Sequence, residues 1–252
     1  MNTAIKRALE ILEYLTMESD PKGEGVSSIG RQLGIPKSSA FDILDSLLEL
    51  GYVECHDHKH YKIGNKAAYL GFKVIEEHPF SKVARKHLEV LCRESGLTSF
   101  AGIACGSNLL ITDKLPPAKG MSVSGCIGST KPIHISAMGK AILAYYDEDD
   151  VKDTIGSACF VSYTRNSIIN FNQLFKNLRA VRKNGFSVNN FEEDDYVCGI
   201  GAPVFDATGR VCGAVECSAF MQEGENDPQA LALLVKQCAA RITEDIKNLN
   251  KQ

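Results

Sequence analysis

Lys37, Ser38, Ser39, Phe41 and Asp42 stand together in GIPKSSAFDILDSLLELGYV, where Ala40, Ile43, Leu44, Leu47 and Leu48 recur at helical spacing. The apolar stripe must face a core. It leaves the first set, with Asp45, on the opposite face at the leading turns of a helix. A cation, two hydroxyls, an aromatic ring and a carboxylate are what base edges and phosphates in a DNA major groove require. Arg31 before the turn and Lys59 and Lys62 beyond the helix would add phosphate contacts to that of Lys37, with Lys6 and Arg7 at the entry helix.

Three other groups carry possible chemistry. CHDHKH offers the metal-ligand types Cys55, His56, Asp57, His58 and His60, but strand alternation sends the histidines to one face and Cys55 and Asp57 to the other. A solvated turn competes with a metal site there. In GSTKPIHISAMGKAILAYY, Ser136 is a capping candidate ahead of a helix with Gly139 near its start. Glycine inside a helix costs about 1 kcal/mol against alanine, so either another element or a ligand comes close to that backbone. Free amides at a helix start, with Lys140 nearby, suit a carboxylate. FEEDD at 191–195 reads equally well as a solvated loop. No ordered nucleophile, base and orienting group, no phosphate loop and no zinc spacing is present, so the sequence predicts no catalytic residues, metal or cofactor.

These residues need elements to hold them. Ala4, Ile5, Ala8, Leu9, Ile11, Leu12 and Leu15 mark an amphipathic first helix. Ile29 and Leu33 then mark a short helix that Gly34 stops, and Pro36 opens the next, which Gly51 ends. Two short helices about a tight turn are a helix-turn-helix. Tyr52-Val53-Glu54 and Tyr61-Lys62-Ile63 flank a polar turn, the pattern of a wing. NKAAYLGFKVIEEH continues as a helix to His78-Pro79, where the chain changes character. Beyond it, apolar runs at 97–105 and 109–115 and helices near 136–146 and 171–184 lead to two strands, VCGIGAPVF and RVCGAVECSAF. A closing helix follows, capped by Asp227-Pro228. The prediction is an α+β chain of two domains: a winged helix-turn-helix over 1–64, a linker helix over 65–78, and a largely antiparallel sheet with helices over 79–252.

Composition sets bounds. In 252 residues, 44% are hydrophobic and 23% charged, which excludes global disorder. No apolar run reaches membrane-spanning length and the N-terminus lacks a signal-peptide pattern, so a cytoplasmic protein is expected. The nine cysteines are scattered without CxxC spacing and read as reduced thiols. Residues 1–78 hold nine Lys and Arg against twelve Asp and Glu, so DNA attraction must be local rather than bulk.

The winged helix-turn-helix, YKIG at the wing's end, GSTKPIHISAMGKAILA, VRKNGFSVNNFEED and GAPVFDATGRVCGAVECSAF, in this order, resemble the IclR family of bacterial transcriptional regulators over essentially the whole length. The resemblance implies a DNA-binding dimer or dimer of dimers reading a pseudo-palindromic operator. It also implies a GAF-like C-terminal domain that binds a small effector: a sugar, a sugar acid or another small carboxylate or polyol. The family's motifs place the effector between Gly128 with the segment His134, Ser136, Gly139 and Lys140 on one wall, and Asn189, Asn190, Glu192, Gly199 and Ile200 on a second. Glu216 and Ser218 on the last strand complete it. Phe41 and Asp42 stand where the family commonly has histidine and arginine, Gly199 where it has cysteine or serine, and Glu216 where it has a small residue. A carboxylate at 216 argues against an anionic effector. Two rivals remain from the residues: an enzyme using Cys198, His134 or Glu192, and an adaptor that no longer binds DNA.

Overall fold

The computed structural model describes residues 3–17, 20–156, 160–220 and 228–249, and its contacts divide the chain into two units, Met1–Glu76 and Glu77–Gln252. In the first, helices α1 (Thr3–Met17), α2 (Val26–Leu33) and α3 (Lys37–Glu49) pack around Ile11, Ile29, Ile35, Ala40, Leu44 and Val53. Gly34, at φ 64°, closes α2 in the left-handed conformation that glycine takes without a steric penalty. A Cβ at Gly30 would lie 2.8 Å from the Ile35 carbonyl, so α2 meets the backbone of the turn leading into α3 at close range. The wing strands β2 (Val53–His56) and β3 (His60–Ile63) are antiparallel, and a two-residue strand, β1 (Glu24–Gly25), pairs with β3 on its other edge. The helix α4 (Asn65–Glu77) follows and has no buried residue.

The second unit opens with α5 (Pro79–Ser95) and builds an antiparallel sheet of order β6-β5-β4-β9-β8-β7. Its strands are β4 (Thr98–Cys105), β5 (Asn108–Leu115), β6 (Thr130–Pro132), β7 (Ser187–Asn190), β8 (Val197–Phe205) and β9 (Val211–Phe220). α5 and the closing helix α9 (Pro228–Leu249) cover one face through Phe80, Leu88, Val215, Val235 and Ile242. The other face packs Phe100, Ile111, Ile133, Met138 and Ala214 against α6 (Ala137–Leu143), α7 (Glu148–Ile155) and α8 (Phe171–Asn184).

Long and strongly patterned elements fall where the sequence predicts them. α8 runs over 171–184, β8 is VCGIGAPVF, and the β8–β9 turn is held by Asp206 Oδ1, which accepts from the amides of Thr208 and Arg210. α6 is shorter than the expected 136–146, because Ala144 already caps it. α7 is an addition, and Asp227, expected to cap α9, lies outside the described residues.

Candidate functional site

In α3, Ala40, Leu44 and Leu47 are buried, and Lys37, Ser38, Phe41, Asp42 and Asp45 face solvent with Ser39 half-buried. Phe41 is 52% exposed, a large apolar group held in water among polar side chains at the leading turns of α3. It suits contact with a thymine methyl, as the Asp42 carboxylate suits the cytosine amino group. Arg31 at the end of α2 and Lys59 in the wing turn are exposed, and Lys62 is half-buried. The wing turn closes through Lys59 N–H donating to the His56 carbonyl at 3.1 Å, with Asp57 and His58 both left-handed at φ 53°. His56 and His60 face each other across the two strands. Among the described residues no group of three or more His, Cys, Asp or Glu is placed to hold a metal ion, the Cys55–His60 set included.

A second cluster lies inside the C-terminal unit. All seven residues of α6 are buried, so Lys140 must find its partners indoors. Its Nζ forms an ion pair with Glu192 Oε1 and donates to the Val188 carbonyl at 2.6 Å. Phe191 at φ 57° turns the chain after β7 so that Glu192 folds back beneath it, with the Glu192 amide donating to Asn189 Oδ1 at 2.9 Å. Burial pushes Lys140 down and Glu192 up, while their contact pulls each back toward the charged form. Glu216 is also buried: Oε2 accepts from the Met138 amide at 3.1 Å and Oε1 from the Ser218 hydroxyl, while burial raises its pKa. Among the described residues of this cluster, three buried polar side-chain atoms have no hydrogen-bond partner: both ring nitrogens of His134, and Glu192 Oε2. His134 is 0% exposed and packs edge-on to Phe160 at 5.0 Å. Burial, then the nearby Lys140 charge, lower its pKa to about 4, so the ring is neutral.

Several expected site residues serve the fold instead. Two amides at the start of α6, where a ligand was expected, are engaged within the chain: Gly139 N–H donates to Ser136 Oγ at 2.8 Å, and Met138 N–H to Glu216. At Gly139 the close approach is made by another part of the chain, since a Cβ there would collide with the Ile133 carbonyl. Ile200 alternates to the other face of the sheet, into the core under α5 and α9, whereas its neighbour Gly199 faces Glu216 and Ser218. A Cβ at Gly199 would meet Glu216 Oε1 at 2.4 Å, so the glycine makes room for the carboxylate. Gly128, at φ 88°, is an exposed turn residue whose amide donates to the Ile111 carbonyl at 2.8 Å.

Asn190 is exposed and accepts through its carbonyl from Asn166 Nδ2 at 3.2 Å. The strap containing Asn166 escaped the sequence reading because it has no periodicity, although Ser167 Oγ donates to the Glu192 carbonyl at 2.7 Å and Thr164 Oγ1 to that of Phe191 at 2.6 Å. Beside it lies an open cavity of about 460 Å³ lined by Arg165, Asn166, Gln173, Lys176, Asn190 and Glu192, among others.

Comparison with known proteins decides the family. A profile for the IclR helix-turn-helix domain matches residues 4–56, and one described as the bacterial transcriptional regulator IclR C-terminal region matches residues 72–244. The chain belongs to the IclR family. It is 30% identical over 216 residues to the DNA-binding transcriptional repressor YiaJ of Escherichia coli, covering 84% of this chain and 76% of that one. It is 26% identical over 249 residues to the glycerol operon regulatory protein of Streptomyces coelicolor, covering 96% of each. The solved structure of an IclR homolog from Microbacterium hydrocarbonoxydans complexed with 4-hydroxybenzoate shares the fold, with a TM-score of 0.79, 19% identity and coverage of 98% and 100%. As an IclR-family protein the chain is a DNA-binding transcriptional regulator with an effector-binding C-terminal domain, and the family is not one of enzymes. In keeping with that, burial raises the pKa of Cys198, the thiol of the rival enzymatic set, and so keeps it protonated. Among the described residues no helix is long and apolar enough to cross a membrane.

Proposed function

We propose that this regulator reads a pseudo-palindromic operator through α3 and the wing, as a homodimer or a dimer of dimers, and that a small organic effector seated at the buried cluster of the C-terminal unit sets its operator affinity. Lys37, Ser38, Ser39, Phe41 and Asp42 would enter the groove, with Arg31, Lys59 and Lys62 on phosphates. Two domain functions are assigned: reading by residues 1–64 and sensing by 79–252, joined by a linker helix over 65–78. The solved homolog's 4-hydroxybenzoate supports a small organic ligand as the class.

The observation that carries the DNA half is α3 itself, whose exposed face mixes Lys37 and two hydroxyl residues with the solvent-held ring of Phe41 and the carboxylate of Asp42. Together these offer donors, acceptors and an apolar group to phosphates and base edges. The experiment is selection of genomic fragments by the full chain, followed by salt titration of the winning site. Lys37→Ala should weaken all sequences alike and reduce the salt slope by about one. Unchanged affinity and slope in that variant would take α3 out of the groove.

A further inference from the structure

We propose that the effector is an uncharged polyhydroxylated molecule, an aldose or alditol, whose hydroxyls satisfy the two ring nitrogens of His134 and Oε2 of Glu192. The inference rests on the reading of the buried cluster as the effector site and narrows it to one chemical class.

Three groups that would hold a carboxylate are already engaged within the chain. Lys140 is taken by Glu192 and the Val188 carbonyl, the Met138 amide by Glu216, and the Gly139 amide by Ser136. Two carboxylates, Glu192 and Glu216, stand against one ammonium, Lys140, and the adjacent Lys131 is paired with Glu193 at 2.9 Å. An anion placed here would meet an excess of negative charge with little water to screen it.

What is left over defines the complement. A neutral imidazole presents one N–H donor and one bare nitrogen acceptor, and Glu192 Oε2 is an acceptor. The three together ask for two donors and one acceptor. Burying them without partners is costly, so they are the groups whose energy a ligand can recover. A hydroxyl donates and accepts at one atom, and a polyol presents several hydroxyls in a row. An ammonium donates only and would leave the His134 N–H unpaired; a carboxylate accepts only and would face Glu192 Oε2 with a like charge.

The experiment is titration calorimetry of the full chain against matched pairs: glucose, galactose, xylose, glucitol, xylitol and ribitol, each beside its aldonate, with operator binding followed in parallel. At least one neutral member should bind ten times or more tightly than its aldonate and alter operator affinity. His134→Leu, checked for cooperative unfolding, should weaken it at least tenfold while keeping operator binding. The wild-type comparison stands even if the variant does not fold.

The inference is overturned if an aldonate binds more tightly than its neutral partner, if no neutral member binds, or if folded His134→Leu binds the neutral ligand as wild type does. An aldonate that shifts operator affinity and is lost in Lys176→Ala would place an acid in the neighbouring open cavity. That outcome ends the polyol assignment and leaves effector control standing. Failure of operator binding in the free protein would instead overturn the regulatory reading, whatever the sugars do.

Discussion

Glu216 shows what a single position in a sequence can and cannot disclose. Read alone it is an acidic residue in an apolar strand and an obstacle to an anionic ligand. In the structure it is half of an exchange: Gly199, on the neighbouring strand, gives up its side-chain volume to the carboxylate. The two lie 17 positions apart, and only the β8–β9 register brings them together. Lys140 is similar: AMGKAIL offers it as a cation near a helix start, but neither its burial nor its partner is legible there, since the left-handed turn at Phe191 decides where Glu192 goes.

His134 yields a prediction at this scale. In the unfolded chain it titrates near 6.5, and in the folded chain near 4. Between those values the unfolded chain takes up a proton that the folded chain refuses, so stability is lost as pH falls through this window and is unaffected above it. The His134 share approaches roughly 3 kcal/mol at the low end. Urea unfolding at pH 7, 6, 5 and 4.5 should show His134→Leu losing less stability than wild type over this range. Parallel pH profiles would mean that the folded protein protonates His134 as readily as water does.

Among elements, those with a clear period or a capping signal were legible: α3 with its stripe, α2 with Gly34, α8 between Asn170 and Gly185. β1 and β6, of two and three residues, are too short to carry a period and form because neighbouring strands offer an edge. α7 did leave a trace, three acidic residues in its first turn and Val151 four before Ile155, but eight residues give a weak pattern.

α6 is the element that joins fold and site, and glycines fix its seat. Gly139 brings it against the Ile133 carbonyl, and a Cβ at Gly201 of β8 would lie 2.8 Å from the Ala137 backbone. Both contacts are with backbone, which cannot rotate away. Gly139→Ala should therefore destabilise the C-terminal unit by about 3 kcal/mol or more, despite the better helix propensity of alanine. Denaturant unfolding of the variant checks this. Wild-type stability with a lost ligand response would show that the glycine serves ligand approach after all.

At the scale of the whole molecule the question is how a weakly charged head holds DNA. Residues 1–78 carry nine cationic side chains against twelve acidic ones, so one copy can neutralise few phosphates and would bind with a shallow salt dependence. α4 offers the remedy. Tyr69, Leu70, Phe72 and Val74 are 60%, 47%, 74% and 61% exposed, more apolar surface than a lone helix keeps in water. A second copy covering it through a two-fold axis would double the phosphate contacts and impose matching symmetry on the operator, with half-sites about one helical turn apart or a multiple of it. Sedimentation should find a dimer at micromolar concentration. The double substitution Phe72→Glu with Val74→Glu should yield monomers, roughly halve the salt slope of operator binding and leave each unit folded, because neither side chain is buried in the single chain. A wild-type monomer at that concentration, or selected sites without two-fold symmetry, would assign the apolar face of α4 to some other partner and leave one weakly basic head to hold the operator alone.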